Sequence, residues 1–326
     1  MRVGVIGGLG FLGASLRKRL ERSNFGVRIF DVRGGGDDSA SYLDISSTVK
    51  LEGCDDLEVL INLAAEHRDD VRPLSKYADV NIQGARNCCE IARRSDISKI
   101  IFTSSVAVYG FAEPDAGEDA EINFFNEYGR TKYLAENIYK EWQAEDPEVR
   151  TLIIVRPTVI FGPGNRGNVY NLLRQIAERK FMMFGSGLNV KSMAYVDNVA
   201  SFLVHCLQFS SGVHVYNYVD KPDLSMNELV QVARKTLFHK SGVGLRMPRF
   251  LGITIGVAFD LLAWLIRKPL PISSIRVKKF MATTQFSSAV PATGFEAPYT
   301  LAEGLEKTLR YEFLEDNRGK PTYEAE

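Results

Sequence analysis

The sequence is poor in the groups that would tie it to a metal or a disulfide framework. Its 326 residues include only four cysteines and four histidines. Cys54, Cys88, Cys89 and Cys206 form no CxxC pair, so neither a structural zinc site nor a disulfide scaffold is expected, and a reducing cytoplasm fits best. An excess of one charge is also missing. The 40 basic and 40 acidic residues cancel, and no Lys/Arg-rich run occurs, which argues against a nucleic-acid partner. Met1 leads straight into a strand-like RVGVIGG, so no secretory leader is expected. Nor is there an uninterrupted apolar run of the roughly 20 residues that a membrane span takes. The nearest is residues 250–266, FLGITIGVAFDLLAWLI, which is short, carries Asp260, and is flanked by Arg246, Arg249, Arg267 and Lys268. A packed helix of a second domain is the preferred reading, with weak membrane-surface association as the alternative.

What is present is a regular alternation. The strand-like runs MRVGVIG, VRIFDV, LEVLINLAA, KIIFTSS and RTLIIVRP are separated by stretches of helical spacing, among them FLGASLRKRLERS and EYGRTKYLAENIYKEWQAE. Continuous apolar strands imply burial on both faces, as in parallel sheets, and their alternation with helices predicts a doubly wound α/β fold. After Arg156-Pro157 the rhythm changes to a Gly/Pro/Asn loop and mixed elements. We expect a Rossmann domain over residues 1–163 and a smaller C-terminal α/β substrate domain over 164–316, with crossovers of the chain between them. Residues 317–326 are read as a polar, disordered tail.

Gly7, Gly10 and Gly13 follow the first strand as GxxGxxG and open the first helix. Glycines there permit a tight turn, let backbone approach a pyrophosphate, and aim helix N–H groups at the anion. The next strand ends at Asp31, where a carboxylate binds the adenosine ribose diol and repels a 2′-phosphate. NAD is therefore expected over NADP, although Arg33 keeps NADP open. Asp44 fits the adenine edge equally as well as a plain surface turn. Further on, Tyr128-Gly129-Arg130-Thr131-Lys132 places a phenol and an ammonium on one helix face. A free tyrosine has a pKa of about 10, so a neighbouring cation is needed to make it an acid/base near neutrality. Lys132 supplies that charge and can also hold a nicotinamide ribose.

With these motifs in view, the sequence resembles the extended short-chain dehydrogenases/reductases, the NAD-dependent epimerase/dehydratase family, in its nucleotide-sugar branch. The matching residues are GGLGFLG, Asp31, NLAA (62–65), Asn81 with Gly84, TSSVAVYG, YGRTK, RPTVIFGPG, YVDNVA (195–200) and GFEAPYTLAEGLEKTLRYE. The match runs over nearly the whole chain, with Ile6 standing where the family usually has Thr. The resemblance implies a Rossmann domain, a sugar-nucleotide domain, NAD and a homodimer. It makes Ser105 the catalytic hydroxyl beside Tyr128 and Lys132, with Thr103 and Ser104 left to satisfy backbone groups. It places Gly7, Gly10, Phe11, Leu12, Asp31, Asp44, Ile45, Leu63, Ala64, Ala65, Asn81 and Pro157 against the dinucleotide.

On the substrate side the resemblance points to Ser105, Asn168, Lys191 and Arg276. Asn168 at a helix start serves as well as a helix N-cap. Lys191 replaces a family arginine and gives charge without the bidentate fork. Arg276 is as readily a surface charge. The run Glu66-His67-Arg68-Asp69-Asp70 near the nicotinamide end has sugar contact as one reading and solvated loop charge as the default. Arg156-Pro157-Thr158-Val159 lacks the Asn of the R-x-F-N run found in many sugar epimerases, as in O-antigen-type epimerases and keto-sugar reductases. Dehydratases of this family carry Asp-Glu where this chain has Val106-Ala107, which cannot act as acid or base, so hydride chemistry is expected without loss of water. The leading expectation is an NAD-dependent C4 epimerase of a UDP-sugar. The alternatives are an NAD(P)H-dependent 4-reductase of a UDP-4-keto-6-deoxy-(N-acetyl)hexosamine for surface polysaccharide and, more distantly, a non-catalytic NAD-sensing protein.

Overall fold

The apolar runs assemble as one seven-stranded parallel sheet at the centre of the molecule. The computed structural model describes residues 1–36, 40–47, 54, 56–68, 71–248, 250–251, 254 and 282–323. Along the chain come β1 (Arg2–Ile6), α1 (Phe11–Arg22), β2 (Gly26–Asp31), β3 (Ser41–Tyr42) and β4 (Val59–Asn62). Next, α2 (Ser75–Tyr77) runs through a π-helical turn (Ala78–Gln83) into α3 (Gly84–Arg94). Then follow β5 (Lys99–Thr103), a 3-10 turn (Val106–Tyr109), α4 (Glu127–Ala144), β6 (Thr151–Pro157) and β7 (Val159–Phe161). The remainder comprises α5 (Asn168–Ala177), β8 (Met183–Phe184), β9 (Val190–Lys191), β10 (Met193–Tyr195), α6 (Val196–His205), β11 (Gly212–Tyr218), β12 (Leu224–Ser225), α7 (Met226–Phe238), β13 (Arg246–Met247) and α8 (Leu301–Phe313).

Strand order in the sheet is β11-β6-β5-β4-β1-β2-β3. The chain builds outward from β1 through β2 and β3, then starts again at β4 on the other side of β1. The C-terminal ends of β1 and β4 therefore flank the switch point, where open α/β sheets bind ligands. Both faces are covered, which is why β4 and β6 are buried along their whole length. On one face α1 and α6 bring Leu16, Leu20, Phe202 and Leu203 against the strands. On the other, α3 and α4 bring Cys88, Ile91, Tyr139 and Trp142. A third cluster joins Leu173 of α5, Val230 of α7 and Leu305 and Leu309 of α8.

The second half of the chain re-enters the first layer. β11 pairs along β6 from Gly212↔Thr151 to Tyr218↔Pro157, and α6 packs on α1. A buried polar junction ties this return to the third cluster. Asp220 accepts from Tyr195 N (2.6 Å) and Asn198 Nδ2 (2.9 Å). Asn198, fully buried, also donates to Tyr299 O (2.8 Å) and accepts from Tyr299 N (3.1 Å). Burial pushes the Asp220 carboxyl up to about 6, partly offset by these donors.

The tail is not disordered through Tyr323, because its backbone pairs with residues 164–166 and its aromatic ring finds an apolar partner. The apolar segment 250–266 lies largely outside the described residues. Among the described residues no helix is long and apolar enough to cross a membrane.

Asn198→Ala leaves Asp220 and both backbone groups of Tyr299 short of partners. The expected loss is about 2–3 kcal/mol, read by urea denaturation, against little change for an exposed asparagine.

Candidate active site

The C-terminal ends of β1, β2, β4, β5 and β6 open into a cavity of about 960 Å³. Its floor begins with the turn after β1. Gly7 has φ +76°, and a Cβ there would stand 2.8 Å from Ala64 N, so glycine lets this turn approach the loop after β4. At Gly13 a Cβ would meet Gly8 O at 2.5 Å, so glycine lets α1 lie on the turn. Gly10 differs. Only Gly7 O lies near its missing Cβ, at 3.1 Å, and the residue lines the cavity with Gly7, Phe11 and Leu12. Its bareness serves the cavity more than internal packing. The first turn of α1 has no side-chain cap and no acidic residue, so its N–H groups suit an anion.

Asp31 closes the next side. The carboxylate is almost buried and accepts from Leu9 N (3.0 Å), Arg33 N (3.0 Å) and Arg33 Nε (3.1 Å). The Arg33 guanidinium is thus drawn onto the carboxylate beside it. Asp44 and Ile45 line the same end of the cavity. Asp44 also makes a local turn, its Oδ1 accepting from Ser46 N (2.9 Å) and Ser46 Oγ (2.7 Å). The turn reading of Asp44 is met, and its place in the lining keeps it available to a ligand. An acid suited to a ribose diol and an uncapped helix start suited to a diphosphate line the same cavity.

Leu63, Ala64 and Ala65 line the cavity beyond β4, and Pro157 does so beyond β6. Asn81 does not. Its Oδ1 accepts from Glu66 N (3.0 Å), and its Nδ2 donates to Glu66 O (3.1 Å) and Thr131 Oγ1 (2.9 Å). Asn81 is buried and its amide is spent on protein, so it holds the 63–66 loop against α4. That loop presents Glu66 and His67 to the cavity, two residues read in sequence as solvated charge.

Ser105 ends the β5 segment and caps the 3-10 turn, its Oγ accepting from Ala107 N (3.1 Å). Tyr128 sits in the first turn of α4, whose N-cap Asn126 accepts from Gly129 N (2.8 Å). A Cβ on Gly129 would stand 2.4 Å from Ala107 O. Glycine here lets the helix touch the turn, and that contact brings Tyr128 into hydrogen-bonding range of Ser105. Ser105, Tyr128 and Lys132 all line the cavity.

The electrostatics differ from the expectation of a phenol lowered by its lysine. Burial pushes the Tyr128 phenol up to about 12, with the Ser105 hydrogen bond working against the rise. Burial likewise drops the Lys132 ammonium to about 7, while the Glu136 carboxylate pulls it the other way. An ammonium that titrates near neutrality is charged only part of the time, so in the protein alone it lowers the phenol little. Lys132 Nζ stands 4.5 Å from the centre of the Phe102 ring.

Behind these groups lies a buried polar cluster. Arg156 Nε and Nη2 meet Glu136 Oε1 and Oε2 at 2.9 and 2.6 Å, in a pair with almost no exposure. Ser104 Oγ donates to Glu136 Oε1 (2.5 Å), so it serves a carboxylate and not a backbone group as expected. Thr103 Oγ1 does donate to a backbone oxygen, that of Asn62 (3.1 Å).

On the substrate side, Asn168 lines the cavity at the first position of α5; the N-cap is Gly167, so the capping alternative does not hold. Lys191 is outside the lining, its Nζ donating to Thr284 Oγ1 (3.2 Å), and Thr284 is the lining residue. Arg276 lies outside the described residues. Thr322 and Tyr323 line the cavity unforeseen, since nothing local in a polar tail marks them.

Residues 3–218 match the profile of the NAD dependent epimerase/dehydratase family. The chain is 49% identical over 271 residues, 82% of both chains, to an N-acetyl-α-D-glucosaminyl-diphospho-ditrans,octacis-undecaprenol 4-epimerase of Escherichia coli O157:H7. It is 26% identical to a UDP-glucose 4-epimerase of Vibrio cholerae, over 96% of this chain and 95% of the other. Among solved structures, a UDP-glucuronic acid 4-epimerase from Bacillus cereus in complex with NAD aligns over 95% of this chain and 98% of its own, with a TM-score of 0.72 at 20% identity. That likeness is one of fold.

Two outcomes follow from the geometry. Gly129→Ala forces α4 away from the 3-10 turn, so it should cost about 1–3 kcal/mol in urea denaturation and raise the Tyr128 phenol further in an ultraviolet titration. Lys132 is a base depressed from 10.5 to about 7, so its burial penalty is full below pH 7 and fades as pH rises toward 10.5. Lys132→Met should therefore stabilise the protein at pH 6 by about 1–3 kcal/mol, with the gain vanishing near pH 10 in paired melts.

Proposed function

The chain belongs to the NAD-dependent epimerase/dehydratase family, and from that premise we propose that it is a 4-epimerase of a diphosphate-activated sugar, with a UDP-sugar as the first candidate. The observation that carries this reading is the convergence of Ser105, Tyr128 and Lys132 on the cavity floored by the glycine turn and Asp31. The bare Gly10, the uncapped α1 and the buried Asp31 fit NAD, and Asp31 disfavours a 2′-phosphate. When bound, NAD accepts and returns a hydride.

The residues of the chain handle everything else. Tyr128 Oη takes the proton of the C4 hydroxyl as the carbon is oxidised and returns it on reduction from the other face. Ser105 Oγ bridges the sugar oxygen and the phenol, which shortens the proton path. Lys132 holds the nicotinamide ribose and, when charged, favours the phenolate. Val106 and Ala107 of the 3-10 turn line the same cavity, and neither can act as the acid or base that elimination of water needs. The neutral outcome is a configuration change with no net use of cofactor. Relatives named as 4-epimerases support return of the hydride to C4 over a one-way 4-ketoreduction. A cytoplasmic location and a homodimer belong to the same proposal.

A second reading concerns the group beyond the diphosphate. The 49% identical relative is named for a polyprenyl diphosphate sugar, and this chain lacks the R-x-F-N asparagine and has Lys191 in place of an arginine. Its apolar run 250–266 would suit an enzyme working at a membrane surface. The chemistry at C4 is the same for either carrier.

UDP-N-acetylhexosamines and detergent-dispersed polyprenyl diphosphate N-acetylhexosamine, incubated with purified protein and no added NAD, separate the carriers by NMR of the products. Epimerisation of one or both is expected, and Tyr128→Phe should lower kcat by about 10²–10⁴-fold. A requirement for added NADH and a 4-keto substrate would replace the epimerase by the reductase. Full turnover by Tyr128→Phe would sink the mechanism.

A further inference from the structure

The C-terminal tail lies across two parts of the site, the loop before α5 and the start of α1. Tyr323 N donates to Gly164 O (2.8 Å) and Arg166 N donates to Tyr323 O (2.8 Å), a short pairing with the loop before α5. Gly164 has φ +85°, and a Cβ there would stand 3.1 Å from Pro321 O and 3.5 Å from the Tyr323 ring. The loop offers a bare bed for the tail. It is fixed from behind as well. Glu312 of α8, nearly inaccessible, accepts from Gly164 N (2.7 Å) and pairs with Arg166 Nη1 (2.5 Å). From this anchor the Tyr323 ring reaches Phe11 at the start of α1, with ring centres 5.7 Å apart.

Thr322 and Tyr323 line the cavity together with Phe11 and Asn168. Phe11 and Asn168 are the first residues of α1 and α5, two helices that lack a side-chain cap. Each suits one phosphate group, and the tail spans them. We propose that residues 321–323 form a strap across the two helix starts, with Tyr323 as a positioning residue for the dinucleotide and for the substrate diphosphate. Its ring keeps water from the start of α1, where a lower dielectric strengthens the hold on an anion. The strap also gives bound dinucleotide a reason to stay through turnover. The inference rests on the reading of the site as one for NAD and a diphosphate sugar.

The test uses the full chain stripped of nucleotide and titrated with NAD in a calorimeter. Tyr323→Ala should bind NAD about tenfold more weakly, while Tyr323→Phe, which keeps the ring, and Arg318→Ala, an exposed tail residue outside the cavity, stay within about twofold. The melting midpoint of stripped Tyr323→Ala should match that of the unaltered chain. Where turnover is measured, KM should rise more than kcat falls. Wild-type NAD affinity in both Tyr323→Ala and a chain ending at Lys320 would overturn the proposal. A fall in melting midpoint large enough to account for the weaker binding would overturn it too, by making the tail a prop for the fold. NAD titration needs no turnover, so absence of epimerisation by the unaltered chain would count against the sugar reading and leave the strap to its own measurement.

Discussion

The paired charges of Glu136 and Arg156 hold the rest of the site in place. Arg156 sits near the end of β6 and Glu136 in the middle of α4, and neither is accessible to water. Their bidentate contact fixes the rotation of α4 over the sheet. Ser104 adds the end of β5 through Glu136, and Tyr109 adds the 3-10 turn by accepting from Arg156 Nη1 (2.6 Å). Tyr109 Oη in turn donates to Asn217 of β11 (2.8 Å). A buried ion pair is a poor source of net stability, because desolvation offsets its Coulomb gain. What it gives is uniqueness, since any shift of α4 along the sheet would strand a charge. The helix that carries Tyr128 and Lys132 therefore has one seat.

That seat has a consequence for charge. Lys132 lies one turn before Glu136 on the same face, so it comes within reach of a carboxylate already committed to Arg156. The pair as a whole is neutral, and Lys132 is held where its ammonium is only marginally favoured. A site built for stability alone would put an apolar residue there. The buried lysine and the phenol raised by burial are both unfavourable arrangements for the protein by itself, and functional sites are where such costs concentrate. In the proposed function the ribose hydroxyls of bound NAD are what the lysine meets.

Much of this was legible in the sequence, and the rest follows a physical divide. The strands β1, β2, β4, β5 and β6 announce themselves as continuous apolar runs, and the glycine turn and YGRTK announce themselves by spacing. These are local signals. Asn81 reads as a cofactor residue because its position in the pattern is right, yet its amide turns inward to Glu66 and Thr131, partners 15 and 50 residues away. Ser104 reads as a backbone partner until Glu136, 32 residues on, claims it. The short strands β7 to β10, β12 and β13 have no period long enough to show. Tyr323 is the extreme case. In a polar tail, one aromatic carries no signal until the fold places Gly164 and Phe11 beside it.

The same divide bears on substrate choice. In the proposed function the reaction chemistry falls to three side chains set by local motif, Ser105, Tyr128 and Lys132, so hydride chemistry could be expected from the sequence once the family resemblance was seen. In that reading, recognition of the group beyond the diphosphate falls to elements brought together late in the chain: Asn168 on α5, Thr284, which Lys191 meets from outside the lining, and the tail. None of these offers the bidentate guanidinium that marks a dedicated phosphate clamp. Among the described residues the glycine turn, the uncapped α1 and Asp31 furnish the dinucleotide side more fully than Asn168 and Thr284 furnish the other; Arg276 lies outside them. That asymmetry suits an epimerase, which must release a product almost identical to its substrate while keeping the NAD that each cycle regenerates.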